Sequence, residues 1–178
     1  MFYYWLHVIY IYISSKLFLS KVDVDSEITR HRRVSILDCE GFRYMSNSRY
    51  CYYMDFIRYE LLFRTKLYTN TFSKGMFGVL GSQKVIYKKP LKRWSKFSIT
   101  LYLEGWDDKW AYHRQVFRQN NKVCAIGYTK LAFVKNRELQ SMKTILNTCG
   151  YKGSVKPPSS MVLDLFKNDQ TLLSNEDI

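Results

Sequence analysis

From Asn47 to about Leu67 the apolar side chains return every three or four positions, at Tyr50, Cys51, Tyr53, Met54, Ile57, Leu61 and Leu62, and Phe56 and Phe63 widen the stripe. That period predicts one long helix with a broad buried face, which Ser46 or Asn47 can cap. Ahead of it, Arg33 to Leu37 alternates as R-V-S-I-L and reads as a short strand, and Gly41 breaks the pattern. Behind it, past a polar turn from Thr69 to Gly75, the period changes to two. Met76 to Tyr87, Phe97 to Leu103, Trp110 to Phe117 and Val123 to Val134 read as strands, the last with a helical alternative. Pro90 ends the first of these. Gly105-Trp106-Asp107-Asp108 and Asn120-Asn121 supply turns between the others. Helical spacing resumes from Asn136 to Asn147 through Leu139, Met142, Ile145 and Leu146, and Pro157-Pro158 opens a mostly polar tail.

One short strand, one long helix and then several antiparallel strands make an α+β fold. A helix with so wide an apolar face needs the inner face of a curved antiparallel sheet to cover it. The 178 residues divide into an N-terminal apolar segment and connector (1–27), one domain (28–158) and a C-terminal tail (159–178).

Met1 to Ile13 is almost wholly apolar, and Lys16 interrupts it before the run reaches the length of a secure membrane span. It lacks a basic leader and a small-residue cleavage site, so a cleaved signal peptide fits poorly, although the secretory pathway stays open. Positive charge follows the apolar run at Lys16, Lys21, Arg30, Arg32 and Arg33, which would leave the domain on the cytosolic side of an anchor. Membrane association is the favoured expectation here. The alternative is a helix or strand packed on the domain.

Composition narrows the classes. With 47% hydrophobic and 24% charged residues the chain can build a core, which excludes global disorder. A net charge of +13 favours anionic partners. The densest basic cluster, from Lys84 through Lys88, Lys89 and Lys92 to Lys96, reads as a solvated surface. The 17% aromatic content raises nucleic acid as a partner, but no aromatic RNA-reading strand motif is present, so none is expected. Cys39, Cys51, Cys124 and Cys149 form no C-x-x-C pair, and His7, His31 and His113 complete no zinc spacing. No metal and no cofactor is expected, and the thiols read as buried and free.

The chemistry concentrates between Asp38 and Tyr50, D-C-E-G-F-R-Y-M-S-N-S-R-Y. Two carboxylates, Asp38 and Glu40, precede a turn and a helix start. A carboxylate can act as base or nucleophile, and free amides at a helix N-terminus can polarise a carbonyl. Glu40 is the candidate catalytic group, and an apolar pocket around it would raise its basicity. Asp38 is a second carboxylate of the site or a turn cap. Tyr44, Ser46 and Asn47 are candidates for substrate binding or for closing the helix start. Asp55 and Arg58, three apart on the helix, read as an intrahelical ion pair.

This block resembles the hotdog-fold acyl-CoA thioesterases of the 4-hydroxybenzoyl-CoA thioesterase-like group, and within it the thioesterase superfamily member 6-like proteins. Those carry D-x-D-x-x-x-H-M-N-N-x-R-Y at the helix start. Asp38, Glu40, Tyr44, Met45, Ser46, Asn47, Arg49 and Tyr50 keep the spacing. Asp55-Phe56 with Arg58, and Gly105-Trp106-Asp107-Asp108, match further family segments. The resemblance covers about Ile28 to Pro158. It implies a hotdog fold, a long helix wrapped by an antiparallel sheet, dimerised by joining two sheets. It also implies a fatty or aromatic acyl-CoA substrate, with the site at the dimer interface and the acyl chain in an apolar tunnel beside the helix. Three positions depart from the pattern. Glu40 replaces the usual catalytic Asp, Tyr44 the usual His, and Ser46 the first Asn. Since a Tyr cannot replace a His as base near neutral pH, these departures set a second expectation beside hydrolysis: an inactive hotdog protein that binds acyl-CoA or lipid, or serves as a dimeric scaffold.

Overall fold

The computed structural model describes residues 2–176. Met1, Asp177 and Ile178, which belong to the N-terminal and C-terminal segments defined above, lie outside the described residues. In chain order the elements are α1 (Phe2–Leu17), β1 (Ile28–Arg33), β2 (Cys39–Glu40), β3 (Tyr44–Met45), α2 (Asn47–Arg64), α3 (Lys66–Asn70), β4 (Met76–Tyr87), β5 (Lys96–Trp106), β6 (Ala111–Gln119), β7 (Lys122–Lys135), β8 (Glu138–Gln140), α4 (Met142–Thr148), α5 (Ser160–Phe166) and α6 (Asp169–Glu176). The sheet is antiparallel in the order β1-β5-β6-β7-β4, with β8 added to β7, while β2 and β3 form a separate small ribbon.

The long helix α2 lies on the inner face of the sheet, as its apolar stripe requires. Tyr50, Tyr53, Met54, Ile57 and Leu61 are buried against Phe97, Ile99, Leu101 and Phe117. The close approach depends on Gly127 in β7, where an added Cβ would overlap the Met54 side chain. Thr65 ends the helix. Its hydroxyl donates to the Leu61 carbonyl (2.8 Å) and accepts from the Leu67 amide (3.3 Å), so one residue closes α2 and caps α3. Glu60 is buried on α2 and paired with Arg30 of β1 and Arg64, which ties the edge strand to the helix.

Three parts of the sequence reading are corrected. The strand before α2 is Ile28–Arg33, not Arg33–Leu37. The later stretch turns through a 3-10 segment, Ile36–Asp38, and the strand is charged because it is an edge. Val123 to Val134 is strand as read, and its helical alternative falls away. Asn136 and Arg137 adopt left-handed backbone and turn β7 into β8, so the helix begins only at Met142; the apolar spacing of Leu139 and Met142 spans two different elements. The tail is not merely polar. Val162 and Phe166 of α5 are buried on the outer face of the sheet against Tyr112 and Tyr128, and Asp169 pairs with Lys84 and Lys130.

The connector to α5 crosses the end of β5 at Gly105. There φ is 137°, and a Cβ would stand 2.6 Å from the Lys156 carbonyl oxygen and 2.8 Å from the Pro157–Pro158 backbone. The N-terminal segment forms α1, which packs on α2 through Val8 and Ile11. Tyr4 meets Tyr52, Phe56 and Tyr59, and Tyr12 meets Phe63 and Tyr68, so the two helices run parallel. No described helix is long and apolar enough to cross a membrane.

Candidate functional site

The block from Asp38 to Tyr50 folds as one unit at the start of α2. Cys39 pairs with Met45 and Glu40 with Tyr44 across the β2–β3 ribbon, which turns at Gly41 and Phe42, both left-handed. The Met45 amide donates to the Leu91 carbonyl (2.9 Å) and the Ser46 amide to the Asp38 carbonyl (2.8 Å), fixing the ribbon to the core at the point where the helix begins. The Ser46 hydroxyl lies 3.1 Å from that of Ser48 rather than on a helix amide, so the first amides of α2 keep their donors without a side-chain cap.

The two carboxylates are placed very differently. Asp38 is buried. One of its oxygens accepts from the Ser35 amide (2.9 Å), the Ser35 hydroxyl (2.8 Å) and the Tyr53 hydroxyl (3.0 Å), and Arg49 stands 4.0 Å from the other. Burial and the neighbouring carboxylate push the Tyr53 hydroxyl well above the usual phenol range, so it remains a donor. Glu40 is exposed on the ribbon, as is Asn47 on the helix, whereas Tyr44 and Ser46 are half-buried. The apolar surroundings expected around Glu40 are therefore missing among the described residues. The ribbon stands at the surface, and a largely apolar space within the fold lies elsewhere.

That space is a cavity of about 320 Å³ between the second half of α2, the strands β4 to β7, and α4. Its walls are largely apolar, with Leu62, Leu103, Phe133 and Ile145 among them. Polar groups enter it from α1, α2 and β6. Asp55 and Arg58 form the expected ion pair, and the Tyr4 hydroxyl donates to Asp55 (3.3 Å). Beside them on β6, Gln115 turns its amide oxygen to the Arg58 guanidinium (3.3 Å) and its nitrogen to the Gly127 carbonyl (3.2 Å). His113 is 6% exposed, lines the cavity, and its Nδ1 has no partner. Burial, helped by the positive charge of Arg58, pulls the His113 pKa down to about 3, so the ring is neutral in the folded protein. Burial likewise raises Asp55 from its ordinary value, against the opposing effect of Arg58.

The sequence reading paired Asp55 with Arg58 but did not connect them to a cavity, and it did not single out His113. A signal was available. Ala111, His113, Gln115 and Phe117 occupy alternate positions of one strand on its helix-facing side, where a histidine and a glutamine interrupt an apolar face.

A family model described as the thioesterase-like superfamily matches residues 34–161, from the loop before the ribbon to the start of α5. The chain belongs to this superfamily. As a thioesterase-like protein it is 34% identical over 80 residues to Protein THEM6 of Xenopus laevis, a match that takes in 45% of this chain and 39% of that protein's length. Among solved structures the superfamily member resembles the probable thioesterase YbaW of Escherichia coli, with a TM-score of 0.63 and 14% identity over 68% of this chain and 98% of that one. It also resembles Slr0204 of Synechocystis, a 1,4-dihydroxy-2-naphthoyl-CoA thioesterase, with a TM-score of 0.61 and 14% identity over 70% and 95%. These similarities establish the hotdog fold that the D-x-E block implied.

Proposed function

We infer that this thioesterase-like protein hydrolyses an acyl-CoA thioester. The observation that carries the reading is the family block folded as one unit, with Glu40 and Tyr44 facing each other across a ribbon that leads directly into the free amides of α2. In this reading Glu40 activates water against the thioester carbonyl or attacks it directly. The amides of Asn47 and Ser48 stabilise the developing oxyanion, and Tyr44 and Ser46 position the substrate. Asp38, holding Ser35 and Tyr53, keeps the ribbon in register with the helix. The similarity to Slr0204, a 1,4-dihydroxy-2-naphthoyl-CoA thioesterase, supports the substrate class.

The exposed Glu40 is enclosed in this reading by a second copy of the chain, joined to the first through the free edge of β4. The apolar outer face of α1, with Trp5, Leu6, Ile9 and Ile13 exposed, rests on a membrane surface, and the net charge of +13 favours an anionic one.

The test is release of free thiol from a panel of acyl-CoAs by wild type and Glu40→Gln. Loss of a positioned base lowers the rate by about 10²- to 10⁴-fold. Because Glu40 is exposed, the substitution leaves thermal stability in place. Equal rates in both proteins reject Glu40 as the catalytic group. Binding of acyl-CoA without turnover in wild type selects the non-catalytic alternative.

A further inference from the structure

The polar groups in the cavity are not explained by a tunnel for a plain acyl chain, which needs only apolar walls. Arg58 is largely withdrawn from solvent, with a side-chain exposure of 15%, and a guanidinium in such surroundings demands acceptors. It has Asp55 and the Gln115 oxygen, yet a guanidinium carries five N–H donors in a fixed fork. His113 stands on the same wall with Nδ1 buried and unpartnered. An unpaired buried nitrogen costs about 1–3 kcal/mol unless a ligand or a water meets it. The unpartnered His113 of β6 and the ion-paired Arg58 of α2, bordering one apolar cavity, form a polar receptor inside it.

The charge balance specifies what the receptor takes. Asp55 already neutralises Arg58, and the His113 ring carries no charge, so the wall is neutral as a whole. A carboxylate or phosphate brought here would lie beside Asp55 and be repelled. A hydroxyl carries no charge, accepts from the guanidinium, and donates to or accepts from an imidazole nitrogen according to its tautomer. The apolar remainder of the cavity then holds the hydrocarbon to which the hydroxyl is attached.

We propose that this cavity binds a hydroxylated hydrocarbon chain, with the hydroxyl seated between His113 and Arg58. The thioesterase reading enters only in identifying that chain as the acyl group of the substrate; the binding itself needs no hydrolysis. Tyr4 of α1, through its bond to Asp55, belongs to the same wall and makes the N-terminal helix part of the receptor.

The experiment is calorimetric titration of the full chain with ω-hydroxydodecanoic acid and with dodecanoic acid, for wild type, His113→Leu and His113→Asn. Both ligands carry the same carboxylate, so their difference reads the hydroxyl alone. Wild type should bind the hydroxylated acid about tenfold more tightly. His113→Leu should abolish the preference, and His113→Asn, which keeps a hydrogen-bonding group there, should restore part of it. Equal affinities in wild type, failure to bind either acid, or a preference that survives in His113→Leu would each overturn the proposal. The wild-type comparison stands even where a variant fails to fold. A hydroxyl preference without thioester turnover would reject the hydrolase reading and leave this one intact, and turnover without the preference would do the reverse.

Discussion

At the scale of single residues, His113 joins stability to pH. Its folded pKa is about 3 against an ordinary 6.5, so below the ordinary value the unfolded chain takes up a proton that the folded chain refuses. Stability contributed in this way is complete above pH 6.5 and is lost as pH falls toward 3, by about 1.4 kcal/mol per pH unit once the unfolded imidazole is charged. Urea unfolding at pH 7 and pH 5 should show a fall in stability for wild type that is smaller in His113→Phe by about 1–2 kcal/mol. An identical fall in both would mean that His113 is charged when folded. Residues were also where the sequence was least complete as a guide. Spacing identified the Asp55–Arg58 pair because its members share a helix turn, and it identified the Asp38–Tyr50 block because the block is continuous. It could not bring His113 to Arg58, since only the packing of α2 on β6 does that. Nor could it separate Asp38 from Glu40, because burial of one and exposure of the other follow from the ribbon's orientation.

At the scale of elements, patterns with a clean period were legible and mixtures were not. The stripe of α2 and the alternation of β4 to β7 returned the elements nearly to their ends. The run from Asn136 to Asn147 failed because a left-handed turn at Asn136 and Arg137 lies inside an apolar spacing that imitates a helix. The segment after Pro158 failed because two apolar contacts, Val162 and Phe166, suffice to hold a short helix on the sheet. The apolar N-terminus admitted two readings, and α1 packs on the domain as the second of them had it. One face is buried on α2, and the other leaves Trp5, Ile9 and Ile13 in solvent. At 16 residues α1 is about 24 Å long, short of the roughly 30 Å of hydrocarbon in a bilayer, so a contact with lipid would run along its surface. Trp5→Asp with Ile9→Asp should reduce cosedimentation with vesicles rich in anionic lipid several-fold while leaving the melting temperature near that of wild type. Undiminished pelleting of the double variant would exclude α1 as the contact.

At the scale of the molecule, the two sheet edges differ in kind. β1 is short and presents Arg30, His31, Arg32 and Arg33, a charged edge that discourages another strand. β4 has 12 residues, is hydrogen-bonded on one side only, and exposes Phe77, Val79, Leu80, Ile86 and Tyr87. A long apolar edge of this kind is a hazard unless another chain covers it, and pairing with its own copy about a two-fold axis covers both at once. Light scattering should therefore give the mass of two chains for wild type and shift toward one for Phe77→Lys with Ile86→Lys, two positions outside the cavity wall. A single-chain mass for wild type would leave the edge without this partner, and Glu40 without the enclosure proposed for it.

The position of β1 in the sheet also sets an order of events in time. Ile28 pairs with Leu101 and Arg33 with Lys96, so β1 has no hydrogen-bonded neighbour until β5 has been made. At about 5–20 residues per second, synthesis leaves a wait of several seconds between the two strands. During that interval α1 and α2 are both complete and can pair with each other, but the sheet that covers the inner face of α2 does not yet exist. The nascent chain thus passes through a stage as a parallel helix pair with an uncovered apolar face, and its yield in a cell depends on what shelters it until the later strands arrive.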